Sequence, residues 1–301
     1  MPPAKQLTER DMELLRYLAK CSVLTLGQVK RIYGGTEQYH YRRLRCLEER
    51  GYVRTESRYS RYIEATKLGI KEAGYDHSPP RLRDKDQCRH KARVAEICLG
   101  LPNWEYLSPR EVKQSTTVNK SYRLDGLLRK DGKEYVVYLL SDDPRRTTVQ
   151  GIKHELNDMP YHRIYSAIVF CPTLKAMEHF YTDIPKLEEL LLLPYPYGIE
   201  LLRHKDEIES CIENLLRGYE KANRRFADYQ KGQTYVSVLV FNDVVKKEQL
   251  EAYLKLRDRE KKDVEIVCLE SQSRKLAEQF PGVKLIVISE FWRDVNADHS
   301  Q

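Results

Sequence analysis

The chain has 301 residues, enough for two or three domains, with 41% hydrophobic and 32% charged residues, which excludes a disordered polymer. No run of about 18 apolar residues occurs and the first residues, MPPAKQLTERD, have no apolar core, so neither a membrane span nor a secretory leader is expected. The seven cysteines are scattered without a C-x-x-C pair, which points to reduced thiols in a cytoplasm rather than to a zinc site. The net charge of +7 is unevenly spread: residues 1–95 hold 21 Lys/Arg against 12 Asp/Glu, and the remainder of the chain is nearly balanced. Positive charge confined to one third points to an anionic partner, nucleic acid or a membrane surface.

Thr8 caps a first helix over about Glu9–Lys20, with Asp11 in the capping-box position and an apolar stripe of Met12, Leu15, Leu18 and Ala19. After a break at Ser22–Leu24, Thr25 caps a short second helix to Tyr33, and Gly34-Gly35 gives a tight turn. Thr36 then caps a third helix that Gly51 stops. His40, Leu44 and Leu47 share one face at helical spacing; Gln38, Arg42 and Cys46 take the opposite face, with Tyr39 and Arg45 on the flanks. Two strand-like runs follow, Tyr52–Thr55 and about Tyr59–Ala65, carrying Arg54, Arg58 and Arg61. A short helix from Thr66 to Ala73 completes the segment.

A basic helix followed by a basic hairpin is the pattern of a winged helix-turn-helix reader of double-stranded DNA. The expected contacts are Gln38, Tyr39, Arg42, Arg43 and Arg45 in the major groove. Arg58 and Arg61 would hold the adjacent backbone or minor groove, and Thr25 and Lys30 would meet phosphates beside the second helix. Such readers pair on repeated half-sites, so a homodimer is expected.

The run LTERDMELLRYLAKCSVLTLGQVKRIYGG, then YRRLRCLEERGYV and TKLG, resembles the N-terminal domain of the replication-relaxation family of plasmids and other mobile elements, and also the winged-helix half of abortive-infection antitoxins. The resemblance covers about Leu7–Ala73. It implies a role in replication, its control, or accessory work at a transfer origin, with replication or relaxosome proteins as partners.

Pro79-Pro80 marks a linker, and Asp84–Leu101 reads as a helix with a basic first half. Tyr122–Arg129 and Glu134–Ser141 read as strands joined by Asp131-Gly132, a strong hairpin signal. Arg145–Asn157 reads as a helix and Ile164–Cys171 as an apolar strand. Leu174–Phe180 and Ile184–Leu193 read as helices, Gly198–Leu202 as a strand, and Asp206–Ala222 as a helix. This order resembles the core of PD-(D/E)XK nucleases. His90, Trp104 and Asp125-Gly126-Leu127-Leu128 match a helix, a turn and a strand that the replication-relaxation family carries after its winged helix.

Metal-assisted phosphodiester hydrolysis needs clustered carboxylates and a nearby lysine. Asp125 stands in the first position of such a site, but the next strand, Val136–Leu140, supplies neither acid nor lysine. Shifting to Glu134 or Asp142 would demand a different geometry, and the alternative of a metal-dependent nuclease with an atypical site would need recruitment of Glu111, Asp142 or Lys153. No phosphate-binding glycine loop, nucleophile elbow or three-histidine cluster is present, so no catalysis and no cofactor or metal is expected. Lys221–Gln230 reads as a polar helical stretch. Beyond it, Tyr235–Phe241, Val264–Leu269 and Val283–Ile288 read as parallel strands separated by helices Glu248–Arg257 and Gln272–Phe280. Asn242, Asp243 and Glu270 lie at their carboxyl ends, where open α/β sheets place ligands. The expected architecture is therefore a multi-domain α/β protein. Residues 1–76 form a winged helix-turn-helix and 81–222 a degenerate restriction-endonuclease-like α/β domain. Residues 223–301 form a β-α-β-α-β module or an extension of the central sheet.

Overall fold

The computed structural model describes residues 6–56, 62–80, 82, 84–256 and 262–292. The chain is mixed α/β and divides into two compact units, residues 1–112 and 113–301. Among the described residues, no helix is long and apolar enough to cross a membrane.

The first unit begins with α1 (Glu9–Cys21), β1 (Val23–Thr25), α2 (Leu26–Tyr33) and α3 (Glu37–Glu49). It continues through β2 (Val53–Glu56), β3 (Tyr62–Ala65), α4 (Lys67–Glu72), α5 (Lys85–Gly100) and β4 (Glu105–Leu107). The unit boundary falls within α6 (Pro109–Ser115). The helix starts follow the sequence. Thr8 and Asp11 form a reciprocal capping box on α1, and Thr25 and Gln28 do the same on α2. Gly34 and Gly35, at φ +60° and +73°, make the turn into α3 in a region that side chains with a Cβ avoid. Ser22–Leu24, expected as a break, leads into a strand, because Val23 and Leu24 begin β1. β1 pairs antiparallel with β3, and β3 with β2, in the order β1-β3-β2. Leu14, Leu15, Leu18, Val29, Leu47 and Ile63 are fully buried in this unit's core. Thr36 occupies the cap position of α3 but makes no side-chain capping bond.

The helix after Pro79-Pro80 is expected in a second domain. The structure groups it with the first unit. Cys88 and Ala92 of α5 pack with Val23 and Tyr62, and Gln28 Nε2 donates to Ala92 O at 2.7 Å. Arg31 grips Glu96 with two hydrogen bonds of 2.6 and 2.8 Å. This helix finds its cover there, so the prolines do not mark the boundary between the two units.

The second unit opens with β5 (Gly126–Lys130), β6 (Lys133–Leu139), α7 (Arg146–Asp158), β7 (Ser166–Cys171), α8 (Leu174–Glu178) and β8 (Glu189–Pro194). β5 and β6 form an antiparallel hairpin, and β6, β7 and β8 run parallel. Asp131 and Gly132 both have positive φ, +51° and +76°, as the tight hairpin turn requires. Next come α9 (Tyr197–Arg203), α10 (Lys205–Leu215), β9 (Glu220–Arg224), β10 (Ala227–Lys231) and β11 (Thr234–Val238). The last elements are α11 (Val244–Leu256), β12 (Asp263–Leu269), α12 (Glu270–Gln279) and β13 (Lys284–Ile288). The second sheet has the order β13-β12-β11-β10-β9, with β11, β12 and β13 parallel as expected.

Three expectations fail here, each for a visible reason. Ile184–Leu193 was expected to be helical, but β8 occupies its second half. Leu190–Leu193 are all buried, so both faces are apolar and no strand period shows. Gly198–Leu202 was expected to be a strand and lies in α9. The helix passes so close to the end of β8 that a Cβ on Gly198 would meet Leu193 Cβ at 2.5 Å. Lys221–Gln230 was expected to be helical and forms the hairpin β9-β10. Phe226, Ala227 and Tyr229 turn inward there, while the outer strand is charged and exposed, as edge strands are.

The C-terminal strands are tied to the central sheet. Leu191 of β8 bridges Asp243, Leu192 N donates to Asn242 O at 3.3 Å, and Asn242 Nδ2 donates to Leu192 O at 2.7 Å. Asp243 Oδ1 accepts from Leu190 N at 3.2 Å and from Val245 and Lys246 N at the start of α11. Burial pushes the Asp243 carboxyl up to about 6.

Candidate nucleic-acid interface

α3 has two chemically different faces. The inner face is fixed by a buried cluster. Asp11, fully buried, accepts hydrogen bonds from the guanidinium of Arg43, the hydroxyl of Tyr33 at 2.6 Å and the backbone N–H of Thr8 at 2.7 Å. Burial works to raise the Asp11 carboxyl, but the bonds from Arg43, Tyr33 and Thr8 outweigh it and hold it below the ordinary carboxylate range. The same arrangement raises the Tyr33 hydroxyl, through burial first and its hydrogen bond to Asp11 second. His40, Leu44 and Leu47 complete this face, all buried.

Arg43 was expected among the DNA contacts, and its geometry removes it from that set. It is 7% exposed and its charge is neutralised by Asp11. The signal was present in the sequence: Arg43 lies three residues after His40 and four before Leu47, on the buried stripe.

The outer face carries Gln38, Arg42 and Arg45, all exposed. These positions recur at helical spacing and so project from one side. Tyr39 lies half-buried at the margin, its ring edge against Tyr33 at 5.9 Å between centroids. Arg42 stands over the Tyr39 ring with its guanidinium carbon 5.8 Å from the centroid. This contact orients Arg42 without an ion pair among the described residues. Arg45 pairs with Glu49 at 2.9 Å, but both side chains are mostly exposed, at 82% and 64%. Such a pair is worth only about 0.3–0.5 kcal/mol and yields readily to another anion.

Beside α3, Thr25 is half-exposed and its oxygen accepts from Gln28 N at 3.2 Å, while its hydroxyl proton remains available to an acceptor. Lys30 is exposed on α2. Arg54 on β2 is satisfied by Glu64 on the paired strand, with Nε–Oε2 at 2.9 Å. Arg58 and Arg61, expected to hold the backbone, lie outside the described residues.

Asp125, the other residue singled out by sequence, is buried just before β5. Its Oδ2 accepts from Leu139 N at 2.9 Å, and its own N–H donates to Val137 O at 2.8 Å. The carboxylate therefore closes the end of the β5-β6 ladder. The candidates for recruitment have other partners. Glu111 caps α6 by accepting from Ser108 N at 2.7 Å, Glu134 pairs with Arg129 at 2.6 Å, and Lys153 donates to Thr182 O. Asp142 is exposed beyond β6, and the adjacent Asp143 pairs with Lys175 at 2.9 Å. Among the described residues, no group of three or more His, Cys, Asp or Glu is placed to hold a metal ion. These residues do not fit the Mg²⁺ centre that the nuclease resemblance implies.

Comparison of the chain with protein-family models, with curated proteins and with solved structures returned no match in any of the three.

Proposed function

We propose that this protein binds double-stranded DNA through the outer face of α3, without catalysis. The observation that supports the reading best is the division of α3. Arg43, His40, Leu44 and Leu47 anchor one side, leaving Gln38, Arg42 and Arg45 exposed on a rigid support. In this reading α2, the glycine turn and α3 form a helix-turn-helix, and β2 and β3 form its wing. The second unit serves as an α/β frame related to a nuclease core, with Asp125 kept for its backbone bonds. The family resemblance adds a context: a plasmid or integrative element, in a cytoplasm, with a homodimer reading paired half-sites. The role there is in replication, its control, or transfer alongside relaxosome proteins. A transcriptional regulator would use the same surface.

Footprinting on DNA from the protein's own replicon tests the reading. Protection at an origin of replication or of transfer is the expected result, and protection confined to a promoter would favour the regulator. Loss of the footprint in the Arg42→Ala, Arg45→Ala double variant is expected; an unchanged footprint would overturn the assignment of α3.

A further inference from the structure

The second unit contains a cavity of about 400 Å³, within the usual size range of small-molecule sites. It forms where the carboxyl ends of the parallel strands β8, β11 and β12 meet. Leu193 and Pro194 end β8, Val240 and Asn242 follow β11, and Ser271 and Gln272 begin α12 after β12. Carboxyl ends of parallel strands are the recurrent ligand position of α/β folds. Its wall is largely apolar, with Met177, Leu193, Leu201 and Leu276, and two tyrosines, Tyr181 and Tyr197, add flat surface. Among the described lining residues, Lys247 and Lys275 are charged and there is no carboxylate.

Lys247 is the unusual group. It is 9% exposed, and its ammonium donates one hydrogen bond, to Asn242 Oδ1 at 2.6 Å. Asn242 is held in turn by its bond to Leu192 O, so Lys247 is fixed in place. No carboxylate lies within ion-pair distance of Lys247 among the described residues. An ammonium has three donors, and burying it with one neutral partner is costly. Burial first, and the charge of Lys275 second, pull its ammonium down to about 8. Lys275 is exposed and stands 5.1 Å from the centre of the Tyr181 ring. Tyr197 and Ser271 on the wall are fixed by Glu290, which accepts from both hydroxyls. The site is thus preformed, positively charged and apolar-walled.

We propose that this cavity binds a small organic anion, with its apolar body against the Leu, Met and Tyr wall and its negative group on Lys247 and Lys275. A mononucleotide and an apolar carboxylate share this chemistry. The anion supplies the acceptors that Lys247 lacks, and the two lysines share its charge.

The full chain is titrated with anilinonaphthalene sulfonate, an aromatic anion, and with the uncharged phenylnaphthylamine. One saturable site for the sulfonate is expected. Lys247→Met and, separately, Lys275→Met should each weaken the sulfonate about tenfold while leaving the uncharged dye unaffected. Lys275 is exposed, so its replacement tests the charge without disturbing the core. Sulfonate binding that is non-saturable, unchanged in both variants, or lost in equal measure with the uncharged dye would overturn the proposal. Displacement of the sulfonate by AMP but not by decanoate assigns a phosphate ligand, and the reverse a carboxylate.

Discussion

The outer face of α3 and the neighbourhood of Asp125 both carry charged residues that sequence patterns associate with DNA chemistry, yet they treat those charges in opposite ways. On α3, Gln38 and Arg42 project from an ordered helix into water, and Arg45 has only a weak, exposed partner in Glu49. At Asp125, the carboxylate is buried and used by the backbone of β6. A recognition surface needs donors that remain available to a partner, whereas a buried polar group must be satisfied within the fold. A residue's type therefore says less about function than how its bonding capacity is used.

The largest expected effect lies on the side of α3 that supports the proposed interface. Asp11→Ala leaves Arg43 buried without its partner, and should cost about 3–5 kcal/mol of stability in denaturant titration. A loss below about 1 kcal/mol would mean that the cluster does not anchor α3. On the outer face, Arg42→Ala should weaken DNA binding by about 1–3 kcal/mol, with stability changed by no more than about 0.5 kcal/mol. Equal losses of binding and stability would erase the distinction between the two faces. At the second region, Asp125→Asn should cost about 1–3 kcal/mol of stability and leave DNA affinity unchanged. Relaxation of supercoiled plasmid in Mg²⁺ or Mn²⁺ that Asp125→Asn abolishes would instead make Asp125 catalytic.

A smaller effect separates the faces by pH. The Asp11 carboxyl is held below its ordinary value of 3.8 in the folded state. Its contribution is fully present above that value and is lost as pH falls through the lowered folded one, because the unfolded chain then binds the proton more readily. Asp11→Ala should therefore flatten the acid limb of the stability curve, and Arg42→Ala should leave it unaltered.

Much of the first unit was legible because its signals are local. Thr8, Thr25 and the Gly34-Gly35 pair fixed the helix ends, and the spacing of His40, Leu44 and Leu47 fixed the buried face of α3. Arg43 resembles the outer arginines in type alone; its position on that stripe already requires burial, and Asp11 explains how the charge is tolerated. The hairpin at Asp131-Gly132 was clear for the same local reason. In β8, by contrast, the run Leu190–Leu193 is apolar on every face, so helix and strand look alike. β9 is polar because it is an edge, and its pairing with β10 is a tertiary fact. The burial of Lys247 was illegible too. It depends on Asn242, on the end of β8 and on α12, which come together only in the folded second unit.

The central claim, that α3 presents its outer arginines to phosphate and base edges, is tested most directly by the salt dependence of binding to mixed-sequence duplex DNA, which requires no knowledge of the specific site. Neutralisation of about five phosphates predicts that log K falls with log salt at a slope of about −4 to −5. The Arg42→Ala, Arg45→Ala double variant should bind more weakly and with a slope shallower by about 1–2. A double variant with the same affinity and the same slope as the parent chain would contradict it.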